Sequence, residues 1–178
     1  DAADWRSLRA LGLAVTRLDG TQSVRVAEFC RQCRAFFELV TGEEDAAISA
    51  RGLLEDGPPG VTDDRRYLLG IERANELVGV VGLIDGFPAA TDWYVGIFLL
   101  LPEERNRGNG RAIWTAMEAY VRSRGGHVIR LIVQDQNVGA VRFWQSVGFV
   151  THGQVQQQLA NRANLCWRFE RTLESGSS

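Results

Sequence analysis

The sequence predicts an α/β (α+β) fold: a single domain over residues 1–178, with a mixed central sheet of about seven strands flanked by about four helices. Three observations point there. Apolar runs of strand length, among them "LVGVVGLID", "WYVGIFLLL" and "HVIRLIVQ", alternate with stretches whose apolar residues recur at three- and four-residue spacing. No internal repeat and no long linker divides the chain. The hydrophobic and charged fractions, 45% and 24%, suit a domain with a buried core.

"LAVTRLDG", residues 13–20, alternates like a strand and ends at a turn. From Thr21 to Val40, the residues Val26, Phe29, Cys30, Cys33, Phe36, Phe37 and Val40 mark one amphipathic helix, closed by Thr41-Gly42. A weaker helix covers about 44–55, and "EDGPPGVTDD" breaks the pattern. Strands at 66–73 and 77–85 meet at an Ala74-Asn75 turn. The strand at 92–100 is almost wholly apolar inside, as a central strand is. A helix from Gly110 to Gly125-Gly126 leads to the strand at 128–134, and these two strands should run parallel through a right-handed crossover. Asn137 should cap a short helix ended by Gly148. "FVTHGQVQQQ" and "NLCWRFERTL" close the chain as a hairpin, and the tail "ESGSS" should fray.

Composition excludes several functions. No apolar run reaches the roughly 20 residues that span a bilayer, and no signal pattern opens the chain, so no membrane is expected and the location is read as cytoplasmic. The net charge of -2 and dispersed arginines speak against nucleic acid. Cys30, Cys33 and Cys166 are too few for a disulfide framework. Cys30 and Cys33 form a C-x-x-C at helical spacing with no second ligand pair, so they read as core residues and no metal is expected. His127 and His152 read as surface or hydrogen-bonded histidines rather than bases.

"PEERNRGNGRAIW", residues 102–114, places a glycine-rich turn between a strand and a helix N-terminus, where backbone N–H groups and the helix dipole attract anions. The dinucleotide fingerprint fails because Ile113 stands where its third glycine belongs. A phosphate loop of the Walker type needs a lysine, and every basic side chain here besides histidine is arginine. Arg105, Arg107 and Arg111 remain as partners for negative charge.

The stretch Arg105-Asn106-Arg107-Gly108-Asn109-Gly110 resembles the [Q/R]-x-x-G-x-[G/A] loop of the GNAT superfamily of acyl-CoA-dependent N-acyltransferases, and "NVGAVRFWQSVGF" is similar to that family's asparagine-led helix ending in Gly-Phe. The resemblance implies acetyl-CoA as co-substrate, with a cofactor core at about 92–149 and acceptor-side helices at about 21–56. It implies that the pyrophosphate lies on Asn106 to Arg111 and that the pantetheine arm lies between splayed strands 92–100 and 128–134. Backbone groups of Phe98, Leu99 and Leu100 would hold the arm and the thioester oxygen, with Asn137, Phe143 and Trp144 beside it. Trp144 occupies the position where many members carry an acidic tyrosine, and indole N–H is no usable acid.

The family's base position on the central strand is Tyr94, with Asp92 two residues earlier on the same face. Tyr94 is a candidate for substrate binding or proton relay and also reads as a half-buried strand aromatic; Glu38 is a second candidate base. The expected function is acetyl transfer to a primary amine by direct transfer in a ternary complex, since no serine or cysteine stands in nucleophile context. A CoA-binding sensor with little catalysis is the alternative. Between Glu38 and Asp64, eight acids stand against Arg51 alone, which reads first as a solvated acidic face and, beside the acceptor, would favour a cationic small-molecule or peptide amine. A homodimer is compatible with all of this.

Overall fold

The apolar runs form one seven-stranded sheet in a computed structural model that describes residues 5–173. Its strands are β1 (Ala14–Arg17), β2 (Arg66–Arg73), β3 (Glu76–Asp85), β4 (Asp92–Leu100), β5 (Val128–Gln134), β6 (Val150–Leu159) and β7 (Arg162–Thr172). They lie in the order β1-β2-β3-β4-β5-β7-β6, and only β4 and β5 run parallel. Ala74 and Asn75, at φ 50° and 67°, make the expected turn between β2 and β3, the left-handed pair that matches strand twist in a two-residue hairpin. The tail "ESGSS" lies outside the described residues.

Six helices flank the sheet among the described residues, rather than about four: α1 (Arg6–Arg9), α2 (Ser23–Gln32), α3 (Arg34–Thr41), α4 (Ala46–Glu55), α5 (Asn109–Ser123) and α6 (Val138–Ser146). One extra is α1, a single turn too short to show periodicity, anchored by the fully buried Leu8. The other comes from the helix expected over 21–40, which breaks at Cys33 (φ -100°, ψ 20°). The break lets α2 pack on β3 and α4 while α3 turns onto β7, which one straight helix could not do across a twisted sheet. A capped turn precedes α2: Asp19 accepts from the Thr21 N–H, and Gln22 accepts from the Asp19 N–H.

The pleat sorts β4 onto two faces. Trp93 stacks on Tyr67 and meets Tyr120 of α5 edge-on, so its face is the α5 and α6 side. On that side Phe98, Trp114, Phe143, Trp144 and Phe149 form a continuous aromatic cluster. Val26, Phe29 and Cys30 of α2 and Phe37 of α3 cover the other side. Tyr94, one residue on from Trp93, belongs to that second face.

Candidate functional site

The pairing of β4 with β5 consists of Asp92 with Val128, Trp93 with Ile129 and Tyr94 with Arg130. Beyond Tyr94 the two strands part, which is the splay expected between 92–100 and 128–134. In the antiparallel pair of β3 and β4, the Leu101 N–H donates to the Val78 carbonyl at 2.9 Å. Ladder bonds alternate, so Leu99 turns its backbone to β3 while Phe98 and Leu100 turn theirs to the gap. Of the three residues expected to hold the arm, Phe98 and Leu100 face the gap, the Leu100 carbonyl being taken by Arg105, and Leu99 bonds within the sheet. One residue of β4 is extra: Gly82 pairs with Ile97 and Leu83 with Val95, so Gly96 bulges. A Cβ on Gly96 would meet no atom within 4 Å.

After β4 the chain makes a short turn over Pro102–Glu104 and reaches α5 through Gly108, whose φ of 79° suits glycine. No side chain caps α5, which leaves the N–H groups of its first turn open to an anion. The loop is pinned from beneath by Glu104, which is 8% exposed. Arg73 grips its two carboxylate oxygens at 3.1 Å each, and the Asn109 amide donates to it at 2.7 Å. The Arg73 hydrogen bonds, more than the field of Arg107, hold the Glu104 carboxyl below the usual glutamate range.

The loop side chains differ in role. Asn109 is spent on Glu104, and Asn106 adopts φ 58° in the turn. Arg105 donates from Nε to the Leu100 carbonyl at 2.9 Å, and Arg111 donates to the Ser146 carbonyl and Oγ at 3.2 Å each. Arg107 is exposed. A Cβ on Gly110 would touch the Phe143 ring at 3.4 Å, so a small residue lets α6 close over the loop.

Asn137 accepts from the Ala140 N–H at 3.3 Å and caps α6 as expected. Trp144 is 5% exposed, with ring centroids 4.8 Å from Trp114 and 5.4 Å from Phe98. It builds the wall behind the Phe98 side chain.

Tyr94 meets Phe87 edge-on, and burial pushes its phenol up to about 12. Asp92 is 5% exposed and bonded to Arg130 Nε at 2.9 Å, a structural pairing. Glu38 is paired with Arg34 on its own helix and lines neither of the two cavities described next. Burial pushes the Cys30 and Cys33 thiols up to about 12 and about 11. Among the described residues no group of three or more His, Cys, Asp or Glu could hold a metal ion.

Two cavities flank residues 94–97 of β4. The first, of about 430 Å³, has Gly96 and Ile97 on its floor and Leu53 and Leu54 of α4 above, with Asp19, Asp56 and Asp63 facing Arg17 and Arg66 at its rim. Both arginines are partly committed: Arg17 donates to the Arg66 carbonyl, and Arg66 bonds Asp63. The second, of about 400 Å³, lies between Tyr94, Arg130, Ile132, Arg168, Glu170 and His152. Glu104, Arg73 and Gly96 escaped the sequence reading; only the strand-interior glycine carried a local signal, since an isolated glycine there often marks a bulge.

The profile described as the acetyltransferase (GNAT) family matches residues 26–149. A mycothiol acetyltransferase from Thermobispora bispora is 40% identical over 85 residues, a match covering 44% of this chain and 28% of that relative. An acetyltransferase from Thermus thermophilus superposes with a TM-score of 0.70 at 21% identity, covering 90% of this chain and 97% of the other. The aminoglycoside acetyltransferase AAC(6')-Ib in complex with coenzyme A gives 0.69 at 13% identity, covering 90% and 94%. Among the described residues no helix is long and apolar enough to cross a membrane.

Proposed function

The chain belongs to the acetyltransferase (GNAT) family, and from that premise we propose that it transfers an acetyl group from acetyl-CoA directly to a primary amine within a ternary complex. The observation that carries this reading is the unpaired edge of β4 beyond Tyr94, which leads into the open N–H donors of α5. The donor set fits acetyl-CoA: Phe98 and Leu100 offer backbone groups to pantetheine amides and the thioester oxygen, and Asn137 caps α6 beside them. The first turn of α5, with Arg107, offers donors to a pyrophosphate. Acetyl-CoA supplies the thioester. These residues align it with the amine, and alignment alone is worth effective molarities on the order of 10⁵ M or more. Trp144 gives no proton to the departing sulfur, which leaves as thiolate and is protonated through water.

The acceptor is a cationic amine lying across the Gly96 bulge, with its body in the first cavity. Three rim carboxylates against two arginines leave one net negative charge there, which favours a cation. The name of the aminoglycoside acetyltransferase is consistent with such an acceptor, and that of the mycothiol acetyltransferase with the small-molecule class.

Calorimetric titration with acetyl-CoA tests the cofactor half. Wild type should bind, and Gly108→Glu and Gly110→Glu should each weaken binding at least about tenfold by setting a carboxylate among the anion donors. No heat in the wild type, or equal binding by both folded variants, rejects the loop assignment. Thiol release with an amine panel tests the transfer half, and binding without release would leave a CoA sensor.

A further inference from the structure

The transfer proposed above needs a base for the acceptor ammonium, for which the sequence offers Tyr94, buried on β4, and Glu38, paired with Arg34 on the surface of α3. The second cavity offers another. Its wall begins at Tyr94, in the last residue pair before β4 and β5 part, and so opens beside the mouth of the splay. Its far wall is His152 of β6. The register of β6 on β7 slips between Thr151 and Gln154, where Gly153 takes φ 84°. Arg168 Nη2 donates to the His152 carbonyl at 2.9 Å and fixes the slipped segment. A bulge re-aims the side chain it carries, and here that chain lines the cavity.

His152 does not stand alone there. Its Nε2 lies 4.0 Å from Glu170 Oε1, Glu170 bonds Arg130, and Arg130 bonds the buried Asp92. The charged and titratable groups that line the cavity with His152 are Tyr94 on β4, Arg130 on β5, and Arg168 and Glu170 on β7, with Asp92 behind Arg130. Glu170, tethered to the sheet through Arg130, is the carboxylate beside the imidazole. The His152 side chain is 55% exposed, so a proton taken up there can pass to solvent.

We propose that His152 is the general base of this acetyltransferase, reached from the acceptor amine through water in the cavity beside the Tyr94 hydroxyl, with Glu170 positioning its ring. An N–H bond of the ammonium breaks and its proton moves to the imidazole. The freed lone pair attacks the thioester carbon, forming C–N, and C–S breaks with its electron pair on sulfur. The proton then shed by the new amide nitrogen reaches the thiolate through water.

The proposal rests on the transfer reading, and its test separates the two. kcat/KM for an accepted amine is followed against pH for wild type, His152→Gln, His152→Ala, Glu170→Gln and, as control, His127→Gln at the only other histidine in the chain. Wild type and His127→Gln should share a one-proton limb distinct from the ionisation of the acceptor. His152→Gln should lose that limb and about 10²- to 10⁴-fold in rate, with acetyl-CoA binding unchanged. Added imidazole should restore part of the rate of His152→Ala, and Glu170→Gln should lower kcat without altering KM for acetyl-CoA. A retained limb in His152→Gln, loss of acetyl-CoA binding in that variant, or a failure of imidazole to rescue overturns the base assignment. A wild type that binds acetyl-CoA but releases no thiol with any amine overturns the transfer reading, and the base with it.

Discussion

Glu104 shows how one carboxylate can decide a loop it does not line. Its folded-state pKa is depressed, so its contribution to stability is present above the unfolded glutamate value of about 4.3 and is lost as pH falls through the lower folded value. Thermal unfolding followed from neutral to acid pH should show a steeper loss for wild type than for Glu104→Gln. At neutral pH that variant should be less stable by about 1–3 kcal/mol, because Arg73 and Asn109 lose a charged partner. None of this was legible in the sequence, since Arg73 stands 31 residues from Glu104 and no local pattern joins them. Tyr94 was legible as to place, because strand alternation is local. Its protonation state was not, because that depends on what buries it.

At the scale of elements, the strand limits could be read because apolar runs end at turn-forming residues; Asp92–Leu100 matches its sequence range. The break between α2 and α3 could not, since the apolar spacing continues unbroken through Cys33 and only the separate targets of the two halves, β3 and β7, force the bend. The bulge in β4 makes a sharper prediction. Gly96 is exposed, its φ lies outside the left-handed region and a Cβ there is unobstructed, so Gly96→Ala should leave the melting temperature nearly unchanged. That methyl group would stand on the floor of the first cavity, where a bulky acceptor should feel it. KM for the amine should rise several-fold while the heat of acetyl-CoA binding stays the same. A variant with wild-type amine KM would remove the acceptor from that cavity.

For the whole molecule, family and fold were legible from two short motifs at the right separation, because the anion loop and the asparagine-led helix are each a local arrangement. The first cavity, where we place the acceptor, was not, because its walls are assembled from β1, α4 and β2 to β4, brought together only by folding. The interrupted pairing of β4 with β5 has a mechanical consequence as well. The sheet is two plates, β1 to β4 and β5 with β7 and β6, stitched directly by three residue pairs. Acetyl-CoA seated in the seam as proposed would bond one plate along its length, pack against the other, and act as the missing thread. At about a hundredfold excess over Kd such a ligand adds about 2.7 kcal/mol, or a rise in Tm of roughly 5–10 °C for a chain this size. If the loop takes the pyrophosphate as proposed, free adenosine diphosphate, too short to fill the seam, should raise Tm less than acetyl-CoA at the same concentration. It should also leave amide exchange on β4 beyond Tyr94 as fast as in the unliganded protein, whereas acetyl-CoA should slow it, closing the line along which the molecule would otherwise tear.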